Sequence, residues 1–292
     1  MAAAAASRPV GAGAAESILR REIPSSGERI PAVGLGTWRT FDVGDSASER
    51  APLRDVLQRF VDLGGRVIDS SPMYGAAESV LGDLAAELGV TERLFVATKV
   101  WTSGREAGIA QMEQSMRRLR VRRLDLMQIH NLLDWRTHLR TLRLWKEAGR
   151  IRYLGVTHYT SSAYDELERV LRAEPLDFVQ VNYSLGEREA ERRILPLAHE
   201  RGVAVLVNRP FSEGGLFQRV RGHAVPGWAA EIGCESWAQL FLKWILANPA
   251  VTCVIPATSR PQHLVDNMAA GLGVLPDAAM RDRIATAVSA AR

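Results

Sequence analysis

Arg66-Val67-Ile68-Asp69-Ser70-Ser71-Pro72-Met73-Tyr74-Gly75 is the stretch on which the reading of this chain turns. Val67 and Ile68 form a short β-branched run after the Gly64-Gly65 break, and the run stops at the turn formers Ser71 and Pro72. That pattern marks the end of a buried strand. A carboxylate, Asp69, closes the strand, and a phenol, Tyr74, leaves the same end just before Gly75. Taken alone, the pair reads equally well as a turn-capping aspartate and a packed aromatic.

Two further apolar runs end in the same way. Leu94-Phe95-Val96-Ala97-Thr98-Lys99-Val100-Trp101 closes on a lysine, and Leu124-Asp125-Leu126-Met127-Gln128-Ile129-His130-Asn131 closes on a histidine. Singly, a snorkelling lysine and a satisfied core histidine account for them. Asp69, Tyr74, Lys99 and His130 at the carboxyl ends of three consecutive strands are the pattern of a site built on strand ends.

Outward from this region, strands and helices alternate along the whole chain. Strands are expected at residues 32–38, 151–158, 178–183, 203–208 and 251–256, besides the three already described. Helices are expected from near Pro52, over 77–88, around Ile109-Met112-Met116-Leu119, around Leu139-Leu142-Trp145, after a Ser161 or Ser162 cap, and around Trp237-Leu240-Phe241-Trp244-Ile245. Pro196 is expected to split the helical stretch 187–201, and a last helix covers 278–291. Eight strand–helix units with near-continuous apolar strands indicate an α/β fold, a closed (β/α)8 TIM barrel. An open doubly wound sheet fits less well, because Gly34-Leu35-Gly36-Thr37-Trp38-Arg39 lacks the third glycine of a dinucleotide fingerprint. Residues 18–31, with Pro24-Ser25-Ser26-Gly27 at the tip, read as an N-terminal β-hairpin. Residues 1–17, rich in Ala and Gly, read as a flexible tail, and 18–292 as a single domain.

Composition narrows the function. The chain has 292 residues, 47% of them hydrophobic, enough for a large core. Lys and Arg outnumber Asp and Glu by 37 to 33, interspersed rather than striped, which argues against nucleic acid as a partner. Two cysteines in apolar contexts suit a reducing, cytoplasmic location, and no metal-ligand spacing appears. No run of about 18 apolar residues points to a membrane.

A phenol beside an ammonium has its pKa lowered, and an aspartate paired with the ammonium holds it in place. A histidine opposite can hydrogen-bond a substrate oxygen. Together these groups can protonate an oxygen while something else attacks the adjacent carbon.

From about residue 18 to the end, the sequence resembles an aldo-keto reductase. The residues that carry the resemblance are Gly34-Leu35-Gly36-Thr37-Trp38, Ile68-Asp69-Ser70-Ser71-Pro72-Met73-Tyr74-Gly75 with Glu78, Thr98-Lys99, Ile129-His130, and Ile255-Pro256 with Asn267. The resemblance implies Tyr74 as proton donor, Lys99 and Asp69 as its tuning pair, and His130 as the residue that orients a carbonyl. It also implies a nicotinamide cofactor, NADPH with NADH as an alternative, and a small-molecule carbonyl substrate; the oligomeric state stays open.

Cofactor contacts carried over by resemblance are less uniform. Gln180 falls where the family bonds the nicotinamide amide, and Thr157-His158 replaces the usual Ser-Asn pair. Asn208-Arg209 stands where many members stack a tyrosine, leaving the Arg209 guanidinium as a substitute plane; Phe211 is counted with this group. Thr258, Arg260 and Asn267 keep the pattern around the adenosine phosphate. Trp38 and Trp101, with Trp135 and Trp228, are expected to wall an apolar substrate pocket. With the last helix ending the chain, the mouth is expected to be open. Two other readings compete: a cofactor-binding regulatory module with little turnover, and a Schiff-base lyase using Lys99.

Overall fold

A parallel sheet covered on both faces needs strands that are apolar throughout, and eight such strands pair here. The computed structural model describes residues 17–291; the tail expected over 1–17 lies almost wholly outside them. The chain opens with an antiparallel hairpin, β1 (Arg20–Glu22) and β2 (Arg29–Pro31). It continues through β3 (Leu35–Gly36), α1 (Ala47–Asp62), β4 (Val67–Asp69), α2 (Ala77–Glu87), β5 (Phe95–Val100) and α3 (Arg105–Arg118). Next come β6 (Leu124–His130), α4 (Trp135–Glu147), β7 (Ile151–Thr157), α5 (Tyr164–Ala173) and β8 (Phe178–Asn182). The remainder is α6 (Glu189–Arg192), α7 (Ile194–Glu200), β9 (Ala204–Asn208), α8 (Gly215–Arg219), α9 (Trp237–Leu246), β10 (Cys253–Val254), α10 (Pro261–Ala269) and α11 (Ala278–Ala290). Strands β3 to β10 lie side by side in chain order, all parallel. Parallel bridges from Val33 to Val254 and from Gly36 to Ala257 join the two ends, so the sheet closes on itself.

Period-two alternation sorts each strand into an inner and an outer face. Val67, Phe95, Ala97, Leu126, Tyr153, Phe178, Ala204, Leu206, Cys253 and Ile255 fill the barrel, and Ile23 and Ile30 of the hairpin plug its amino-terminal end. Their neighbours Ile68, Val96, Met127, Ile129, Leu154, Val156, Val179, Val181, Val205 and Val207 face outward into the layer shared with the helices. One pleat beyond the inner apolar layer, the same faces carry Asp69, Lys99, Gln128, Gln180 and Asn208, with His130 and Thr157 a further pleat along β6 and β7. The barrel is therefore apolar at the hairpin end and polar at the carboxyl end of its strands.

Several boundaries differ from the sequence reading for identifiable reasons. Helix α1 starts at Ala47 rather than near Pro52, because Ser46 caps it by accepting from Glu49 N–H at 3.3 Å and donating to the Glu49 carboxylate. Neither Ser161 nor Ser162 caps α5; they form a 3₁₀ turn, and the helix proper begins at Tyr164. The break in 187–201 falls at Arg193, and Pro196 sits in the first turn of α7, where its missing N–H is harmless. The expected strands at 32–38 and 251–256 shorten to Leu35–Gly36 and Cys253–Val254, since pairing across the barrel's closure is limited to a few residues.

Helix α2 is seated closely. Glu78 is buried and accepts from Thr98 Oγ1 at 2.6 Å, with Arg118 Nη1 at 3.6 Å. Gly82 faces the end of α3 so closely that a Cβ there would lie 2.0 Å from the Arg118 carbonyl oxygen. Backbone cannot yield as a side-chain tip does, so Gly82→Ala is expected to destabilise the protein by about 1–3 kcal/mol. An unchanged midpoint in urea unfolding would contradict that packing.

Candidate active site

Asp69, at the end of β4, and Lys99, on β5, face each other inside the barrel. Lys99 Nζ donates to Asp69 Oδ2 at 2.6 Å and to the Ser70 carbonyl at 2.7 Å, and its side chain is wholly buried. Asp69 Oδ1 accepts from Gln128 Nε2 at 3.0 Å and from Gln180 Nε2 at 2.9 Å. A carboxylate can only accept, so both amides must turn their NH2 groups toward it. Gln180 Oε1 then faces away and accepts from Asn208 Nδ2 at 3.2 Å and Thr157 Oγ1 at 3.4 Å. One buried charge orients a network spanning β4 to β9.

Tyr74 is placed by the turn after β4, closed by Tyr74 N–H to the Ser71 carbonyl at 3.0 Å. Gly75 follows at φ +59°, and a Cβ on it would lie 2.1 Å from Asp42 Oδ1. Asp42 uses that closeness to accept from Ala76 N–H at 2.9 Å, fastening the turn. Lys99 Nζ lies 5.0 Å from the centre of the Tyr74 ring, and the His130 ring meets it edge-on at 5.9 Å.

Electrostatics here departs from the expectation that Lys99 lowers the phenol. Burial is the largest influence on Tyr74 and outweighs the pull of Lys99, so its pKa lies above the ordinary value and it keeps its proton. Burial works against the Lys99 ammonium, yet Asp69 and Tyr74 overcome it and hold its pKa above the usual value. His130 is lowered to about 2, first by burial and then by the charge of Lys99, so its ring is neutral.

The site opens into a pocket of about 690 Å³ at the carboxyl end of the barrel. Ten residues expected at the site line it: Trp38, Asp69, Tyr74, Trp101, His130, Thr157, Gln180, Asn208, Arg209 and Phe211. Lys99 lies beneath, reaching it through Asp69 and Tyr74. His158 does not line it; its Nδ1 turns back to accept from Tyr159 N–H at 3.1 Å and Thr160 N–H at 3.3 Å. Thr258 and Arg260, just past the lining residue Ala257, and Asn267 on α10 are not among the residues lining the pocket, and Arg260 N–H bonds to Thr258 Oγ1 at 3.1 Å. Trp135 and Trp228 do not wall it: Trp135 Nε1 bonds to Glu166 at 3.0 Å, and Trp228 packs under Arg283.

Other pocket residues were not singled out from the sequence, namely Arg39, Met73, Tyr159, Glu213 and Phe217. Gln128 was also passed over, although its position two residues before His130 puts it on the same strand face. Arg209 does not lie as a free plane; its guanidinium bonds to the Tyr159 carbonyl at 3.1 Å and pairs with Glu213 at 3.5 Å and Glu187 at 3.6 Å. Asn208 Oδ1 and Arg209 Nε are an acceptor and a donor buried without partners among the described residues. A carboxamide carries the complementary pair of functions, so this part of the pocket fits a nicotinamide.

The His130 shift has a consequence for stability. The native ring stays unprotonated down to about 2, whereas an unfolded histidine takes a proton below 6.5, so stability rises with pH across that window and levels off above it. Between pH 7 and 5, wild type should lose about 2 kcal/mol more than His130→Gln. Urea unfolding of both proteins at the two pH values measures the difference, and equal losses would refute a neutral buried ring.

The model of the Aldo/keto reductase family matches residues 32–285. The methylglyoxal reductase YeaE of Escherichia coli (strain K12) is 30% identical over 247 residues, which cover 82% of this chain and 85% of that protein. A crystal structure of an aldo/keto reductase from Klebsiella pneumoniae with NADP and acetate superposes with a TM-score of 0.76 at 26% identity, covering 90% of this chain and 93% of that one. Another from the same organism, in complex with NADPH, gives a TM-score of 0.75 at 25% identity, covering 94% and 96%. With its eight parallel strands closed into a barrel and Asp69, Tyr74, Lys99 and His130 gathered at their carboxyl ends, the chain belongs to the aldo/keto reductase family.

Proposed function

We propose that the protein reduces an aldehyde or ketone to the alcohol with NADPH. The observation that carries this reading is the contact chain from Asp69 through Lys99 to Tyr74, with the neutral His130 ring beside the phenol on one pocket wall. When bound, NADPH supplies a hydride to the carbonyl carbon. His130 donates a hydrogen bond to the carbonyl oxygen and fixes its direction. As that oxygen gains negative charge, the Tyr74 hydroxyl gives it a proton, and the adjacent Lys99 ammonium stabilises the phenolate left behind. Asp69 keeps Lys99 charged and in place.

Thr157, Gln180, Asn208, Arg209 and Phe211 would hold the nicotinamide end, and Thr258, Arg260 and Asn267 the adenosine end. Among the described residues, every exposed aromatic (Trp38, Trp101, Tyr159 and Phe217) lines the pocket. That supports carbonyl substrates carrying an apolar or aromatic group. The two cysteines are free and buried, which supports a cytoplasmic location. No helix among the described residues is long and apolar enough to cross a membrane.

Tyr74→Phe removes the proton donor but keeps the ring. Carbonyl reduction should fall by ~10²–10⁴ while NADPH affinity survives. A turnover assay run beside fluorescence titration decides it: turnover like wild type would disqualify Tyr74 as the acid. If wild type binds NADPH yet reduces nothing across a broad carbonyl panel, the regulatory-module reading takes its place. Arg260→Ala should weaken NADPH roughly tenfold to a hundredfold and spare NADH, through loss of a charge-assisted contact to the 2′-phosphate. Equal losses for both cofactors would remove Arg260 from that role.

A further inference from the structure

His130 can guide a carbonyl oxygen only if the nitrogen facing the pocket carries a hydrogen. A neutral imidazole has one N–H to place on two nitrogens, and the partner of the other nitrogen decides where it sits. In this chain Nδ1 lies 3.1 Å from the hydroxyl of Ser71. Nε2 has no partner among the described residues, and the ring lines the pocket, so Nε2 is the nitrogen presented to a ligand. With the hydrogen on Nδ1, Nε2 would turn a lone pair toward the carbonyl oxygen and repel it.

Ser71 is fully buried and doubly committed to this corner. Its carbonyl closes the turn that carries Tyr74, and its hydroxyl oxygen accepts from Met73 N–H at 3.4 Å. That contact occupies one lone pair and leaves the hydroxyl hydrogen free, with Nδ1 within its reach. The groups otherwise facing the ring are the Tyr74 edge at 5.9 Å and the Trp101 ring at 6.4 Å, and neither bonds to Nδ1.

We propose that Ser71 is a positioning residue whose hydroxyl donates to His130 Nδ1 and thereby holds the ring hydrogen on Nε2, aimed at the substrate carbonyl. The inference rests on the reductase reading for its purpose, but the tautomer itself can be observed without turnover. One residue would then set both partners of the carbonyl oxygen, Tyr74 through its backbone and His130 through its side chain.

Long-range ¹H–¹⁵N correlation spectra of ¹⁵N-labelled protein at pH 7 distinguish the two tautomers, and with only six histidines in the chain, His130→Gln identifies the relevant signals. Wild type should show His130 with its hydrogen on Nε2. Ser71→Ala should shift it to Nδ1 or to a mixture and lower kcat about tenfold, the worth of one hydrogen bond, with NADPH affinity unchanged. Ser71→Thr, which keeps the hydroxyl, should retain the wild-type tautomer. A hydrogen on Nδ1 in wild type, or an unaltered tautomer in Ser71→Ala, overturns the proposal. Absence of turnover in wild type would instead count against the reductase reading and leave the tautomer result standing.

Discussion

The buried ion pair of Asp69 and Lys99 is the interaction on which the carboxyl end of the barrel depends. Removing two charges from water is costly, and attraction between them repays that cost only when their remaining hydrogen-bonding capacity is met. Here it is met by the Ser70 carbonyl on one side and the amides of Gln128 and Gln180 on the other. Because the carboxylate accepts and never donates, its sign propagates outward and fixes which end of each amide faces the pocket. Removal of either charge would leave the other buried and unpaired, and would free amides that five strands use to align their ends.

Stability and chemistry are separated along the barrel axis. The hairpin end is filled by aromatic and aliphatic side chains, with Arg152 bridging Asp125 at 2.7 Å and pairing with Glu28, and with Tyr153 bonded to Ser26 at 2.7 Å. These contacts seal the bottom without reaching the pocket. At the other end, the polar layer resting on the apolar plug is held rigidly from below, so the reacting groups stay in place while the pocket remains open to a ligand.

Desolvation sets the protonation states that the proposed chemistry needs. The same burial keeps the Tyr74 phenol protonated and the His130 ring neutral, while Asp69 preserves the ammonium of Lys99. A protonated phenol is ready to donate, and a neutral imidazole can offer a hydrogen bond without competing as an acid. In the proposed reaction the lysine would act less by lowering the phenol in the resting site than by being charged when negative charge appears on the tyrosine oxygen.

The barrel was legible because its information is local. β-branched runs of strand length, helical spacing of Leu and Met, and the turn after Asp69 are read from neighbours in the chain, and Asp69, Lys99 and His130 follow directly from strand ends. Gln128 was legible in principle through its period-two relation to His130, yet its bond to Asp69 crosses 59 residues of sequence. Tyr159 and Glu213 enter the pocket from connections, and Phe217 from the short helix α8 after β9, whose paths no periodicity specifies; Trp135, at the start of α4, and Trp228 stay out of it because those paths turn them elsewhere. The upward shift of Tyr74 was not legible at all, since desolvation sums over every group packed around the phenol. Sequence by itself determined the order of the strands and the chemical types at their ends; tertiary structure alone decided which of those groups touch and which are shielded from water, because both depend on the closure of the sheet.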